Sequence, residues 1–75
     1  MVIIVRKSDK VVTWALNVDI SEITFTEHNT TLPDLIILDM NTTTADIYEV
    51  ASVPSDFEGG RYKYVNNQFE LNPEY

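Results

Sequence analysis

A chain of 75 residues with no cysteine is one small domain that carries neither disulfides nor thiolate metal sites. At this size a core buries only about 60% of the unfolded surface and supplies roughly 3–5 kcal/mol, so a neighbouring subunit is a natural way to complete burial. The formal charge of −7 is uneven: Arg6, Lys7 and Lys10 stand against Asp9 alone, whereas the rest of the chain sets eleven carboxylates against Arg61 and Lys63.

Such a balance repels phosphate backbones and anionic lipid, so direct nucleic-acid binding is not expected and the bland reading of the charge is solubility. A head-to-tail contact of the basic first hairpin with an acidic neighbour is the sharper alternative. No apolar run approaches the ~20 residues of a membrane span. Val2-Ile3-Ile4-Val5 is too short for a secretory h-region and is followed, not preceded, by positive charge.

Along the chain the apolar runs are short and β-branched, with turn residues between them, the pattern of an all-β meander. Val2 to Arg6 and Val11 to Leu16 flank Lys7-Ser8-Asp9-Lys10, a polar connection suited to a hairpin loop around a type I turn. In the second strand Val12, Trp14 and Leu16 alternate with Val11, Thr13 and Ala15, which puts the larger side chains on one face with Trp14 as the core anchor. Ile20 to Thr26 reads as a half-exposed strand with Ile23 and Phe25 inward, and Glu27-His28-Asn29-Thr30-Thr31 as a polar loop. Leu35-Ile36-Ile37-Leu38, bracketed by Asp34 and Asp39, reads as a strand buried on both faces whose aspartates guard against aggregation.

Asn41-Thr42-Thr43-Thr44 leads into Asp46-Ile47-Tyr48-Glu49-Val50, a strand, with a single helical turn from a threonine cap as the open alternative. Pro54 fixes φ at the entry to a turn, Phe57 plugs the end of the sheet or barrel, and Gly59-Gly60 gives the freedom to enter a last hairpin. That hairpin is the best-specified element. With Asn66-Asn67 as a loop in which both residues take φ > 0, Val65 pairs with Gln68, Tyr64 with Phe69, Lys63 with Glu70 and Tyr62 with Leu71. The aromatic and leucine pairs share an apolar face, and Lys63/Glu70 forms an opposite-charge pair on the other.

Chemistry-bearing patterns are sparse. His28 is the only histidine and falls in a loop; Ser8, Ser21, Ser52 and Ser55 are present, but no nucleophile elbow surrounds any of them. Asp34, Asp39 and Asn41 lack the spacing and central glycine of a calcium loop, and Gly59-Gly60 is a pair and not a phosphate cradle. No enzyme activity, cofactor or metal is expected. Asn29-Thr30-Thr31 and Asn41-Thr42-Thr43 match the glycosylation triplet and read here as turn residues. Tyr48, Tyr62, Tyr64 and Tyr75, with Phe57 and Phe69, are more aromatics than one small core buries, so Tyr48, Phe57, Tyr62, Tyr64 and Tyr75 are the candidate contact surface. The end Asn72-Pro73-Glu74-Tyr75 is either a docking tail or a strand end folded over its own domain.

Ile3-Ile4-Val5-Arg6-Lys7-Ser8-Asp9-Lys10-Val11-Val12, Pro54-Ser55-Asp56-Phe57-Glu58-Gly59-Gly60-Arg61-Tyr62-Lys63-Tyr64 and Asn72-Pro73-Glu74-Tyr75 resemble small uncharacterised proteins of tailed bacteriophages. The resemblance covers both ends and implies a setting among virion and tail components; it carries over no catalytic or binding residue. The expectation is therefore one β domain over residues 1–75, a small antiparallel barrel or sandwich of about five to seven strands. Its expected role is a non-enzymatic virion structural or accessory protein, tail- or tail-fibre-associated, assembled in the host cytoplasm, with itself or a larger virion protein as partner. Capsid decoration is one alternative, and an acidic intracellular inhibitor of a host defence protein is the other.

Overall fold

The computed structural model describes residues 1–75. The chain is all-β apart from one 3-10 turn, Ile20–Glu22, and its eight strands are β1 (Val2–Arg6), β2 (Val12–Leu16), β3 (Thr24–Phe25), β4 (Thr30–Leu32), β5 (Leu35–Ile37), β6 (Ala45–Glu49), β7 (Tyr62–Val65) and β8 (Gln68–Leu71). They form three small antiparallel sheets, ordered β2-β1-β6, β3-β4-β5 and β7-β8, and not a closed barrel.

Strand β1 organises the rest. It is the middle strand of its sheet, and Val2, Ile3, Ile4 and Val5 are all buried, because each face is covered by a different layer. On one face Ile4 packs with Leu32, Ile37, Met40 and Ala45, bringing in the β3-β4-β5 sheet. On the other, Ile3 and Val5 pack with Val12, and Val53, Phe57, Tyr64 and Phe69 close over them. A continuous apolar run fits this central place, since alternate side chains enter two separate cores.

Strand β2 departs from simple alternation. Val5 opposes Val12 and Ile4 opposes Trp14, so Thr13 is an extra residue, a β-bulge that switches the inward face. Val12 therefore joins one core and Leu16 the other, and Trp14 is 37% exposed where the alternation had made it the core anchor. The bulge is held by its neighbours: the Thr13 hydroxyl donates to the Ile4 carbonyl at 3.2 Å, and the Gly60 amide donates to the Val12 carbonyl at 3.0 Å. The preceding loop places Lys10 at φ 64, and the Lys10 carbonyl accepts from the Tyr64 amide, which hooks the β7-β8 hairpin onto the start of β2.

Three sequence expectations need correction. The strand expected from Ile20 opens instead with the 3-10 turn, because Asp19 accepts from the Ser21 amide while Glu22 accepts from the Asp19 amide, a capping box that draws the backbone out of the extended state. Ile23 and Phe25 still pack inward. The polar loop is shorter than expected: the Thr26 hydroxyl accepts from the amides of His28 and Asn29 to form a tight turn, and Thr30-Thr31-Leu32 is strand β4. Thr30 is fully buried, its hydroxyl donating to the Met40 carbonyl at 2.7 Å. Finally, Leu35-Ile36-Ile37-Leu38 is not a doubly buried strand. The chain turns at Pro33-Asp34, β5 pairs only with β4, and of these four side chains only Ile37 is buried.

Other readings hold. The segment from Asp46 is strand, since Asn41 accepts from the amides of Thr43 and Thr44 and caps a turn that ends where Ala45 pairs with Arg6. The last hairpin has the expected register throughout, with Asn66 at φ 52 and Asn67 at φ 63, the mirror-image turn that matches strand twist.

Candidate interaction surface

Four of the five candidate aromatics join Phe69 in one ladder. Phe57 stacks on Tyr62 at 6.5 Å between ring centroids, Tyr62 meets the edge of Phe69 at 6.3 Å, Phe69 meets Tyr64 at 5.0 Å, and Tyr64 reaches Tyr48 on β6 at 5.1 Å. Such tilted and offset pairs are worth about 0.5–1.5 kcal/mol each beyond their buried area. The ladder ties the last hairpin to the central sheet, and Phe57, Tyr62 and Tyr64 are half-buried within it. Tyr48 at its end and Tyr75 outside it keep more of their surface, with Tyr75 60% exposed.

Tyr75 folds back over its own domain. The Arg61 guanidinium carbon lies 5.1 Å from the centre of its ring, and its hydroxyl donates to Glu58. Arg61 in turn pairs with Asp56 and Glu58, while the Tyr62 hydroxyl donates to Asp56 at 2.6 Å. The Asp56 carboxyl is held below its ordinary range by the Tyr62 hydroxyl, with Arg61 adding to the effect; Glu58 is lowered by the hydroxyl of Tyr75 and then by Arg61. This tyrosine–carboxylate–arginine cluster braces the loop into β7, and Asn72 fastens it by donating from its side chain to the Gly60 carbonyl at 2.9 Å.

Two open clefts mark the surface. One, of about 230 Å³, is lined by Lys10, Tyr48, Tyr64, Val65, Asn66 and Asn67, below the roughly 300–1,000 Å³ of small-molecule sites. The other, of about 380 Å³, is lined by Arg6, Lys7, Ser8, Thr43 and Thr44. Its cations are already engaged, Arg6 with Asp9 at 2.8 Å, and Lys7 with the Thr42 carbonyl and Asp46. His28 projects into solvent beside Glu27, and no group of three or more His, Cys, Asp or Glu side chains is placed to hold a metal ion. No helix is long and apolar enough to cross a membrane.

The surface that the sequence reading missed is strand β5. Ile36 is 56% and Leu38 73% exposed, beside a partly exposed Leu35, and the strand ends its sheet with one side unpaired. Pro33-Asp34 between Leu32 and Leu35 was the available signal, because a two-residue turn makes the run the second arm of a hairpin. Leu71, expected to share the apolar face of the last hairpin, is likewise exposed on the outer strand β8.

Comparison with protein-family models, curated proteins and solved structures found no match.

Proposed function

We propose that this chain is a non-enzymatic, virion-associated structural module of a tailed bacteriophage, attached at the tail and working through protein–protein contacts. The observation that carries the contact role is the apolar surface left on its sheet margins, at Leu35, Ile36 and Leu38 of the β5 segment and Leu71 of β8. Exposed apolar side chains on edge strands favour association, because a partner both removes them from water and satisfies the open backbone groups. The virion setting rests on the resemblance of residues 3–12, 54–64 and 72–75 to phage proteins. Its partner is a larger virion protein or further copies of itself, joined during assembly in the host cytoplasm.

The test is quantitative protein analysis of purified virions. A copy number far below that of the major capsid protein supports tail attachment; a ratio near one moves the protein to capsid decoration. Absence from particles defeats the structural role and turns attention to an intracellular one, in which the acidic surface engages a host protein.

A further inference from the structure

One cleft is lined by polar side chains that the rest of the chain leaves free. Lys10, Tyr48, Tyr64, Asn66 and Asn67 surround it with Val65. No intramolecular hydrogen bond or ion pair engages the Lys10 ammonium, either tyrosine hydroxyl or either asparagine side chain. Its walls are fixed by backbone and packing. The Tyr64 amide donates to the Lys10 carbonyl at 2.9 Å, Val11 bridges to Lys63, and the Tyr64 ring lies 5.1 Å from that of Tyr48, which stands opposite the buried Ile3. Lys10, Asn66 and Asn67 are also the only non-glycine residues at positive φ, so the Lys10 side chain is held where the backbone favours glycine or asparagine.

Elsewhere the same chain shows what such groups bind. Its other two tyrosines, Tyr62 and Tyr75, donate to the carboxylates of Asp56 and Glu58, and Arg61 pairs with these at 3.3 and 3.2 Å. The cleft repeats the two hydroxyls and the cation without a carboxylate of its own. None of its lining residues is acidic although the chain has twelve Asp and Glu, and Asp9, next to Lys10, is taken by Arg6 at 2.8 Å. One ammonium balances one negative charge, which favours a carboxylate over a dianionic phosphate. At about 230 Å³ the cleft is smaller than a small-molecule site and has room for a side chain.

We propose that this cleft receives the carboxylate of an Asp or Glu side chain of a different protein, held by the Lys10 ammonium and the hydroxyls of Tyr48 and Tyr64. The tyrosine rings lie along the methylenes of the incoming side chain, as they do at protein interfaces. A second copy is the weaker donor, because two chains of charge −7 repel each other. The site goes beyond the contact role assigned to Leu35, Ile36, Leu38 and Leu71 and uses none of those side chains.

The test titrates the full chain, isotopically labelled, with a Gly-Glu-Gly peptide capped at both ends, with its Gly-Gln-Gly counterpart, and with acetate and phosphate. The Glu peptide should shift the amide resonances of Lys10, Tyr48, Tyr64 and Asn66 and bind about tenfold more tightly than the Gln peptide. Lys10→Gly, which suits the backbone at that position, should cut the affinity about tenfold with the melt at or above the parent's. Lys10→Gln should give the same loss, and Tyr48→Phe a loss of about threefold. Equal binding of the two peptides, shifts confined to other regions, or undiminished affinity in both Lys10 variants overturns the proposal. Acetate or phosphate binding as tightly as the Glu peptide also overturns it, making the cleft a site for a free anion. So does a concentration-dependent dimer whose shifts map to the cleft, which puts a second copy's carboxylate there. No particle enters these measurements, so their failure leaves the virion setting standing and the absence of the protein from virions leaves the cleft standing.

Discussion

Gly59 lies against the backbone carbonyl of Thr13, so close that a Cβ at Gly59 would stand 2.9 Å from the oxygen. The loop before β7 thus seats on the β2 bulge through a glycine that has no side chain to keep it off, with the neighbouring Gly60 amide bonded to Val12. Because the obstacle is backbone, it cannot swing aside. Gly59→Ala should destabilise the protein by about 1–2 kcal/mol, read as a lower urea midpoint, and an unchanged midpoint would contradict the contact.

Two turns carry non-glycine residues at positive φ, and they predict opposite responses. Asn67→Val puts a β-branched side chain at φ 63 and should cost on the order of 1–2 kcal/mol. Lys10→Gly relieves a side chain at φ 64 and should be neutral or stabilising by up to about 1 kcal/mol. Thermal melts of the two variants, run beside the parent, check both signs.

Ile4 is the residue whose loss the fold can least absorb, being fully buried in contact with Leu32, Ile37, Met40 and Ala45. Ile4→Ala should cost about 2–5 kcal/mol, comparable with the roughly 3–5 kcal/mol that a core of this size supplies. The variant should be largely unfolded at 25 °C by amide dispersion. Ile36→Ala, by contrast, should leave the melt within about 0.5 kcal/mol of the parent, since its side chain is mostly in water.

Stability should fall at both ends of the pH range. Asp9 is held below its ordinary 3.8 chiefly by Arg6, Asp19 by the Ser21 amide and Asp56 by the Tyr62 hydroxyl, while Glu58 is held below 4.5 chiefly by the Tyr75 hydroxyl. The unfolded chain takes up these protons first, so their contribution is complete above about pH 5 and is lost as pH drops through the ordinary values toward the lower folded ones. Tyr62 runs the other way: donation to Asp56 raises it above 10.0, so the folded chain keeps a proton that the unfolded chain releases. Stability is therefore lost as pH climbs past about 10. Tyr62→Phe should flatten the alkaline fall and soften the acid one in equilibrium unfolding measured across pH.

Deleting Pro73 to Tyr75 should leave a folded domain with a looser loop, because Asn72 keeps its bonds to Gly60 and Arg61 while Arg61 and Glu58 lose the tyrosine. Faster amide exchange confined to residues 56–61 is the expected signature. If the truncated protein still enters particles, the terminus braces its own domain and is not the docking element.

Local chemistry was legible where it involved only near neighbours. The Asn66-Asn67 turn and the four pairs it dictates follow from the residues themselves. So does the strand from Ala45, once Asn41 is recognised as a cap. The capping box at Asp19 and Glu22 is just as local, but the reading of Ile20 to Thr26 as a strand followed the alternation of Ile23 and Phe25 and missed it.

What composition could not separate was Val2-Ile3-Ile4-Val5 from Leu35-Ile36-Ile37-Leu38. The two runs are alike in length and character, yet one is sealed between two layers and the other lies on a margin. The difference is set by how many strands flank each, a property of distant segments. The Thr13 bulge was hidden for the same reason, since an extra residue is defined only against its partner strand. The aromatic candidates were found as a group, but their mutual stacking, which half-buries Phe57, Tyr62 and Tyr64, depends on where the last hairpin lands.

The central place of β1 also orders events during synthesis. Strand β1 precedes every segment that covers it: β2 follows within a few residues, but the other edge of β1 waits for Ala45–Glu49 and one of its faces for Phe57, Tyr64 and Phe69. Throughout that interval Val2 to Val5 form a bare, β-branched ribbon on the nascent chain, open to pairing with any neighbour on the same message. The core of this domain therefore closes only once the last hairpin has been made, and a chain interrupted before it is prone to aggregate and is not a smaller working domain.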